Sequence, residues 1–319
     1  MTQPITLKLN ALSKRFGSVI ANDAVSLELA RSEVLALLGE NGAGKTTLMN
    51  MLFGHYMPDA GTIDVADADG VMQPLTLGHP QAALGAGIGM VHQHFTLAEN
   101  LSAFDNILLG SESMLSWRRD KPRARAKIEN IIAQTGLAAP LDEPVGRLSV
   151  GERQRVEILK ALYRDARILV LDEPTAVLTP QEADTLFENI AAMTRDGLSV
   201  IFISHKLREV LAFSHRIAIL RHGKKVGEMA TADADQRAIA QMMVGADTPV
   251  QTLSAMQPGA AVLTLDNVTV RGRNARENLH SVSLQVHANE IVGIAGVSGN
   301  GQAALAALVS GLGVPDAGK

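Results

Sequence analysis

The chain of 319 residues contains no cysteine, which excludes a disulfide framework and thiolate metal sites and fits a reducing cytosol. Aromatic residues make up only 3% of it, with a single tryptophan. Long apolar runs are missing. Ile168–Leu171 and Val200–Ile203 are strand-sized, far short of the ~20 residues that a membrane-spanning helix needs. The opening MTQPITLKLN has no basic stretch leading into an apolar core, so no signal peptide is expected. Excess charge of one sign is absent as well. A formal net charge of −4 leaves no general basic field for nucleic acid. The one strong basic run, SWRRDKPRARAK over Ser116–Lys127, is interleaved only with Trp117 and reads as a solvated helix face or loop. These absences together describe a soluble chain that reaches a membrane only through another protein.

What is present is a repeat. The stretch AVSLELARSEVLALLGENGAGKTTLMNMLFGHYMPDAG is echoed by SVSLQVHANEIVGIAGVSGNGQAALAALVSGLGVPDAG. Ser26, Leu27, Glu33, Gly39, Gly44, Gly54, Pro58 and Gly61 meet Ser283, Leu284, Glu290, Gly296, Gly301, Gly311, Pro315 and Gly318 at a constant offset. Such self-similarity marks a duplicated module. The polar, aperiodic segment 246–260, with two prolines, reads as a linker. A first module over 1–245 and the start of a second over 261–319 are therefore expected.

Periodicity in the first module predicts strands over Thr6–Asn10, Val25–Leu29 and Val34–Leu38, then a helix over Lys45–Phe53. A mostly helical stretch from about Ser102 to Leu162 precedes a strand over Ile168–Leu171, a helix over Pro180–Arg195 and strands over Val200–Ser204 and Arg216–Arg221. Strands alternating with helices predict an α/β fold: a mixed, largely parallel sheet covered on both faces, with an antiparallel β flank and a helical subdomain.

The chemistry begins at Gly39-Glu40-Asn41-Gly42-Ala43-Gly44-Lys45-Thr46-Thr47. This satisfies G-x-x-x-x-G-K-[ST] after an apolar strand and before a helix, the context a P-loop requires. Glycines let successive N–H groups wrap phosphates at a helix N-terminus. Lys45 is expected to neutralise the β- and γ-phosphates of ATP, and Thr46 to bind Mg²⁺ through its hydroxyl. The strand Ile168–Leu171 delivers Asp172 and Glu173 to the carboxyl edge of the sheet, where ligands bind in open α/β folds. Asp172 is expected to organise the metal and Glu173 to polarise the attacking water. Gln93, after the apolar stretch Ile88–Val91, suits contact with both metal and water. His205, at the end of the next strand, suits contact with the γ-phosphate. Phe16, just before the strand that feeds the P-loop, is placed to stack on adenine. His55, His92 and His94 lack metal-ligand spacing with carboxylates and read as structural.

With the P-loop, Gln93, Leu148-Ser149-Val150-Gly151-Glu152-Arg153-Gln154, Leu171-Asp172-Glu173-Pro174-Thr175 and His205 in this order, residues 5–245 resemble ABC ATPases. The second copy narrows the resemblance to tandem ATP-binding subunits of simple-sugar and nucleoside importers, and the wording around the signature looks closer to the nucleoside branch. That resemblance implies a sandwich of two halves in which Ser149 and Gly151 donate hydrogen bonds to ATP held by the opposite half. It also implies membrane permease partners and a solute-binding protein, at the cytoplasmic face of the membrane. The region after Gln93, with Phe95, Leu97 and Phe104, would offer the permease an apolar groove. The sequence departs from the family pattern at Val150 and Glu152 in the signature, and at Thr179 where many relatives carry Asp. In the second copy Gln302 and Ala303 stand where Lys45 and Thr46 do, which implies one active and one degenerate site. Two other readings stay open: a soluble ABC ATPase of translation or DNA repair, and a truncated chain that binds ATP without hydrolysing it.

Overall fold

The computed structural model describes residues 4–93, 95–111, 121–245, 257–272, 278–296 and 300–319. They divide into two compact units, Met1–Thr248 and Pro249–Lys319. In the first, β1 (Ile5–Phe16) and β2 (Val19–Ala30) form an antiparallel pair, and β3 (Val34–Leu38) leads through the glycine loop into α1 (Lys45–Phe53). Next come β4 (Ala60–Ala66), β5 (Met72–Pro74), the short α2 (Pro80–Gly85) and β6 (Ile88–Val91). The expected helical stretch resolves into α3 (Ala103–Leu108), α4 (Lys121–Thr135) and α5 (Val150–Tyr163). β7 (Ile168–Asp172), α6 (Pro180–Arg195), β8 (Ser199–Ile203) and α7 (Leu207–Phe213) follow, then β9 (Arg216–Arg221), β10 (Lys224–Ala230) and α8 (Gln236–Val244).

Among the described residues, six strands form one sheet in the order β10-β9-β3-β8-β7-β6. All its pairings are parallel except that of β10. The flank β2-β1-β4-β5 is antiparallel, as expected. Alternation along the central strands sorts side chains to two faces. Leu35, Leu37, Ile168, Val170, Ile201 and Ile203 bury against α1 and the antiparallel flank. Ala36, Leu38, Leu169, Leu171, Val200 and Phe202 bury against α5, α6 and α8. The double burial explains why these strands read as unbroken apolar runs.

β1 and β2 extend well past their expected bounds. Their pairing survives register shifts, and Ala11 and Ala24 adopt left-handed backbone angles (φ 46° and 50°). Bulges of this kind reset the two-residue alternation that the sequence reading depended on. Of the basic run, Ser116–Asp120 lies outside the described residues; so do residues 246–256 of the expected linker, and His94. The described remainder of the basic run starts α4. There Arg125 makes a two-pronged bond to Asp142 (2.7 and 2.6 Å) and Lys127 reaches Asp165 (2.8 Å). This is a solvated, ion-paired helix face.

The second unit contains β11 (Ala261–Val270), β12 (Leu279–His287) and α9 (Gln302–Val309), with β11 and β12 antiparallel. Its backbone repeats the special angles of the first. Ala24, Ser32, Gly44, Gly54 and Gly61 have positive φ, and so do Ser281, Asn289, Gly301, Gly311 and Gly318 at the matching positions. A Cβ on Gly61 would lie 2.5 Å from the Asn10 carbonyl oxygen, and one on Gly318 2.5 Å from that of Asn267. The likeness of the two copies is thus one of backbone geometry as well as composition. Residues 291–296, the counterpart of β3, form no strand, and Ile291 and Ile294 are exposed. In the first unit β3 pairs on both sides, with β8 and β9. Among the described residues of the second unit only β11 and β12 form a sheet, and the backbone groups of 291–296 join no ladder there.

Candidate active site

Three glycines shape the P-loop. Gly39, Gly42 and Gly44 have φ of 154°, 83° and 100°, the last two in the left-handed region open to glycine at low cost. A Cβ on Gly44 would sit 2.2 Å from the Ala21 carbonyl oxygen, whereas one on Gly42 would meet nothing within 4 Å. Beneath the loop Asn22 is fully buried and donates to the Gly44 carbonyl (3.2 Å). Gly42→Ala should therefore cost only the left-handed strain, roughly 1–2 kcal/mol. Gly44→Ala should add an overpacking penalty of roughly 1–3 kcal/mol. Denaturant midpoints of the two variants check this, and equal midpoints would remove the close-approach argument.

Lys45 opens α1 and is buried at 7% exposure. Its Nζ donates to the carbonyls of Gly39 (2.8 Å) and Glu40 (2.9 Å). Burial lowers its pKa, opposed by the charges of Glu173, Asp172 and Glu40. Asp172 ends β7, is 5% exposed, and hydrogen-bonds with Thr46. Burial pushes its pKa up, the Thr46 bond pulls it down, Glu173 adds to the rise and Lys45 opposes it. Glu173 follows with φ 49°, a left-handed angle uncommon outside glycine and worth notice at a site. Its Oε2 accepts from Gln93 Nε2 (3.1 Å), and its Oε1 lies 3.2 Å from His205 Nδ1.

These residues share one cavity of about 820 Å³, lined also by Gly39, Glu40, Asn41, Gly42, Gly44, Thr46 and Thr47. Segments far apart in sequence meet there because β3, β6, β7 and β8 all end at the same edge of the parallel sheet. Among the described residues, no group of three or more His, Asp or Glu could hold a metal unaided. A small hard dication is held by one or two protein oxygens together with phosphate oxygens. The Thr46 hydroxyl and Asp172 carboxylate fit this role.

Phe16 is not brought to the cavity. It packs edge-on against Tyr56 (centroids 5.4 Å apart), with Lys14 Nζ 5.6 Å from its ring centre. Val19, Ile20 and Ala21, from the start of β2, line that side instead, joined by Met243 of α8. The two-residue turn after Phe16 reverses the chain, so the side chains that arrive at the rim are those beyond the turn. The exposed apolar pair Val19-Ile20 was the available signal.

Ser149 and Gly151 lie away from this cavity. Ser149 caps α5, accepting from Glu152 N–H (3.3 Å), while the Glu152 carboxylate accepts from Ser149 N–H (2.8 Å). The Glu152 departure thus completes a capping box, and the Ser149 bonds hold its carboxyl below the usual range. Thr179 and Glu182 repeat the device at α6. Gly151 faces that second box: a Cβ there would lie 2.9 Å from Glu182 Oε1. The Glu152 and Thr179 departures thus both serve capping boxes, at the starts of α5 and α6.

A smaller hollow of about 270 Å³ is lined by Gln93, Phe95, Leu97, Val150 and Val177 among others. Phe104, expected beside them, is buried in the core under Lys121 and Arg125. The segment after Gln93 is tied to α5 by Glu157, which accepts from both N–H (2.6 Å) and Oγ1 (3.0 Å) of Thr96. Glu157 is not among the expected site residues, although a glutamate among the buried positions of α5 signals a buried partner. His55 and His92 stack on one another (5.4 Å) beside Phe53.

A glycine-cradled helix start, a buried lysine and an acidic strand end define a P-loop nucleotide-binding domain. Residues 22–176 match the family model described as ABC transporter, and the first unit has the P-loop ABC ATPase fold. A nucleotide-free ATP-binding cassette from an ABC transporter superposes with a TM-score of 0.64 at 25% identity, covering 71% of this chain and 91% of that one. The glucose import ATP-binding protein TsgD13 of Haloferax volcanii is 40% identical over 348 residues, covering 100% of this chain and 62% of the relative. The nucleoside import ATP-binding protein NupA of Lactococcus lactis subsp. cremoris is 40% identical over 319 residues, with the same two shares. The chain thus spans 62% of the length of these curated relatives.

Proposed function

We propose that this chain binds ATP with Mg²⁺ and hydrolyses it to drive import of a nucleoside or simple sugar through membrane permease partners. One observation carries the reading: Glu173 is held between Gln93 and His205 above Lys45 and Asp172. A carboxylate gripped from both sides at the mouth of a phosphate cradle is placed to polarise water in line with a γ-phosphate. Lys45 neutralises phosphate charge, and the P-loop N–H groups bind phosphate oxygens. Thr46 and Asp172, with Gln93 lining the same cavity, would hold Mg²⁺, which would supply positive charge against the phosphates of ATP. The relatives above, named for glucose and nucleoside import, support the solute class. The hollow lined by Phe95, Leu97, Val150 and Val177 suits an apolar helix of a permease. Among the described residues no helix is long and apolar enough to cross a membrane; in this reading the permease partner holds the chain at the membrane. Turnover measured with and without a candidate permease of a nucleoside or sugar importer, in vesicles, tests the reading. Unchanged turnover and no co-purification would return the chain to the soluble ATPase class.

Ser149 and Gly151 do not line the cavity that holds Lys45, which supports completion of the site by a second half. Phosphate release per molecule is therefore expected to rise steeply with protein concentration as two first units pair. Specific activity that stays constant across dilution would show that one chain is sufficient.

A further inference from the structure

Behind the Glu173–His205 contact lies a closed polar network that none of the expected site residues belongs to. Glu209, in the first turn of α7, is 8% exposed. Both its carboxylate oxygens lie 2.7 Å from Thr175 Oγ1, and Ser204 Oγ donates to its Oε2 (3.1 Å). Lys206 closes the ring from the other side. Its Nζ donates to the Thr175 carbonyl (2.7 Å) and to Thr175 Oγ1 (3.2 Å), and its N–H donates to Ser204 Oγ (3.0 Å). Nζ also lies 3.3 Å from Glu209 Oε1. Thr175 and Ser204 are themselves almost fully buried.

The placement of this ring is what matters. Thr175 stands two residues after Glu173, and Ser204 immediately precedes His205. The two loops that carry the contacting carboxylate and imidazole are thus clamped together at Glu209. The left-handed backbone of Glu173 (φ 49°) is otherwise tied to the neighbouring strand by its N–H to the Ile203 carbonyl (3.1 Å) and within its own loop by the Ala176 N–H to its carbonyl (3.2 Å), and the clamp adds a side-chain tie between the two loops. Each hydroxyl in the ring accepts from Lys206 and donates to Glu209, a pattern that requires an acceptor-only group at Glu209.

We propose that Glu209 is a positioning residue for hydrolysis, which sets the distance between Glu173 and His205 by clamping Thr175 to Ser204. The proposal rests on the ATPase reading above. Glu209→Gln can keep its amide oxygen at the Oε2 position, where both hydroxyls donate, but its N–H₂ then takes the Oε1 position facing Lys206 Nζ (3.3 Å), donor against donor and without the opposing charge. Lys206 is thereby pushed away from Thr175. The Glu173 loop shifts while the P-loop, on β3 and α1, stays in place. A shift of about 1 Å at a reacting group costs up to about a hundredfold in rate.

The test compares Glu209→Gln, Thr175→Val and the double variant with the parent chain at one protein concentration. Expected is a fall in kcat of about ten- to a hundredfold with the KM for ATP held within about twofold. The double variant should be no worse than the poorer single one, since both cut the same ring. Unchanged kcat, kcat and KM falling away together, or fully additive losses would overturn the proposal. If Glu209→Gln does not fold, Thr175→Val, which removes only the hydroxyl, decides alone. A parent chain without turnover counts against the ATPase reading. In that case the imidazole NMR signals of His205 decide the clamp: they should move in folded Glu209→Gln or Thr175→Val, and unmoved signals would refute it.

Discussion

Glu173→Gln is expected to bind ATP as tightly as the parent chain and to lose turnover by about two to four orders of magnitude. The amide is close in shape to the carboxylate and can keep its place between Gln93 (3.1 Å) and His205 (3.2 Å). What it loses is the capacity to accept a proton from water. The buried floor of the cavity is untouched by the change, because Lys45 is fixed by the carbonyls of Gly39 and Glu40 and Asp172 by Thr46. Binding and hydrolysis should therefore separate cleanly. A fluorescent ATP analogue measures the first and phosphate release the second. Residual hydrolysis equal to that of the parent would take the catalytic role away from Glu173.

Lys45→Ala is expected to weaken ATP binding by roughly ten- to a hundredfold, the equivalent of about 1.5–3 kcal/mol for one charge-assisted phosphate contact. The substitution also strips the donor from two carbonyls of the loop, those of Gly39 and Glu40. Lys45→Gln separates these effects, since an amide still fills the space and donates but carries no charge. The second unit displays that exchange. A Cβ on Gly296 would lie 2.3 Å from Gln302 Nε2, so the glutamine folds back over its loop much as Lys45 folds over Gly39. Lys45→Gln should accordingly lose most of the affinity that Lys45→Ala loses. Titration of the three proteins with the same analogue, in Mg²⁺, is the measurement. Equal affinities would remove the P-loop assignment.

Much of the fold was legible in the residues. Val34–Leu38, Lys45–Phe53, Pro180–Arg195 and Arg216–Arg221 occupy their expected bounds, because apolar runs, a glycine loop and the Thr179 capping box mark their own ends. The boundaries of β1 and β2 were hidden by bulges. A residue at positive φ shifts the alternation by one and leaves no compositional trace unless it is glycine. The split of the helical stretch into α3, α4 and α5 was hidden for another reason: a periodic pattern reports which faces are apolar, not where the chain turns between them.

For the site, the sequence alone determined which chemical groups are available: the phosphate loop, the acidic strand end, Gln93, His205 and the uncharged Gln302 of the second copy. Local order suffices there, since each is a short segment whose backbone follows from its own residues. Only the tertiary structure decided which of them meet. It set Gln93 and His205 on either side of Glu173, left Phe16 with Tyr56, buried Phe104, and joined Thr175, Ser204 and Lys206 at Glu209. Those outcomes depend on parallel strand order and on burial, which bring segments more than thirty positions apart within about 3 Å, hydrogen-bond reach. No local pattern encodes that pairing, because the partner of a buried polar group is chosen by packing around it.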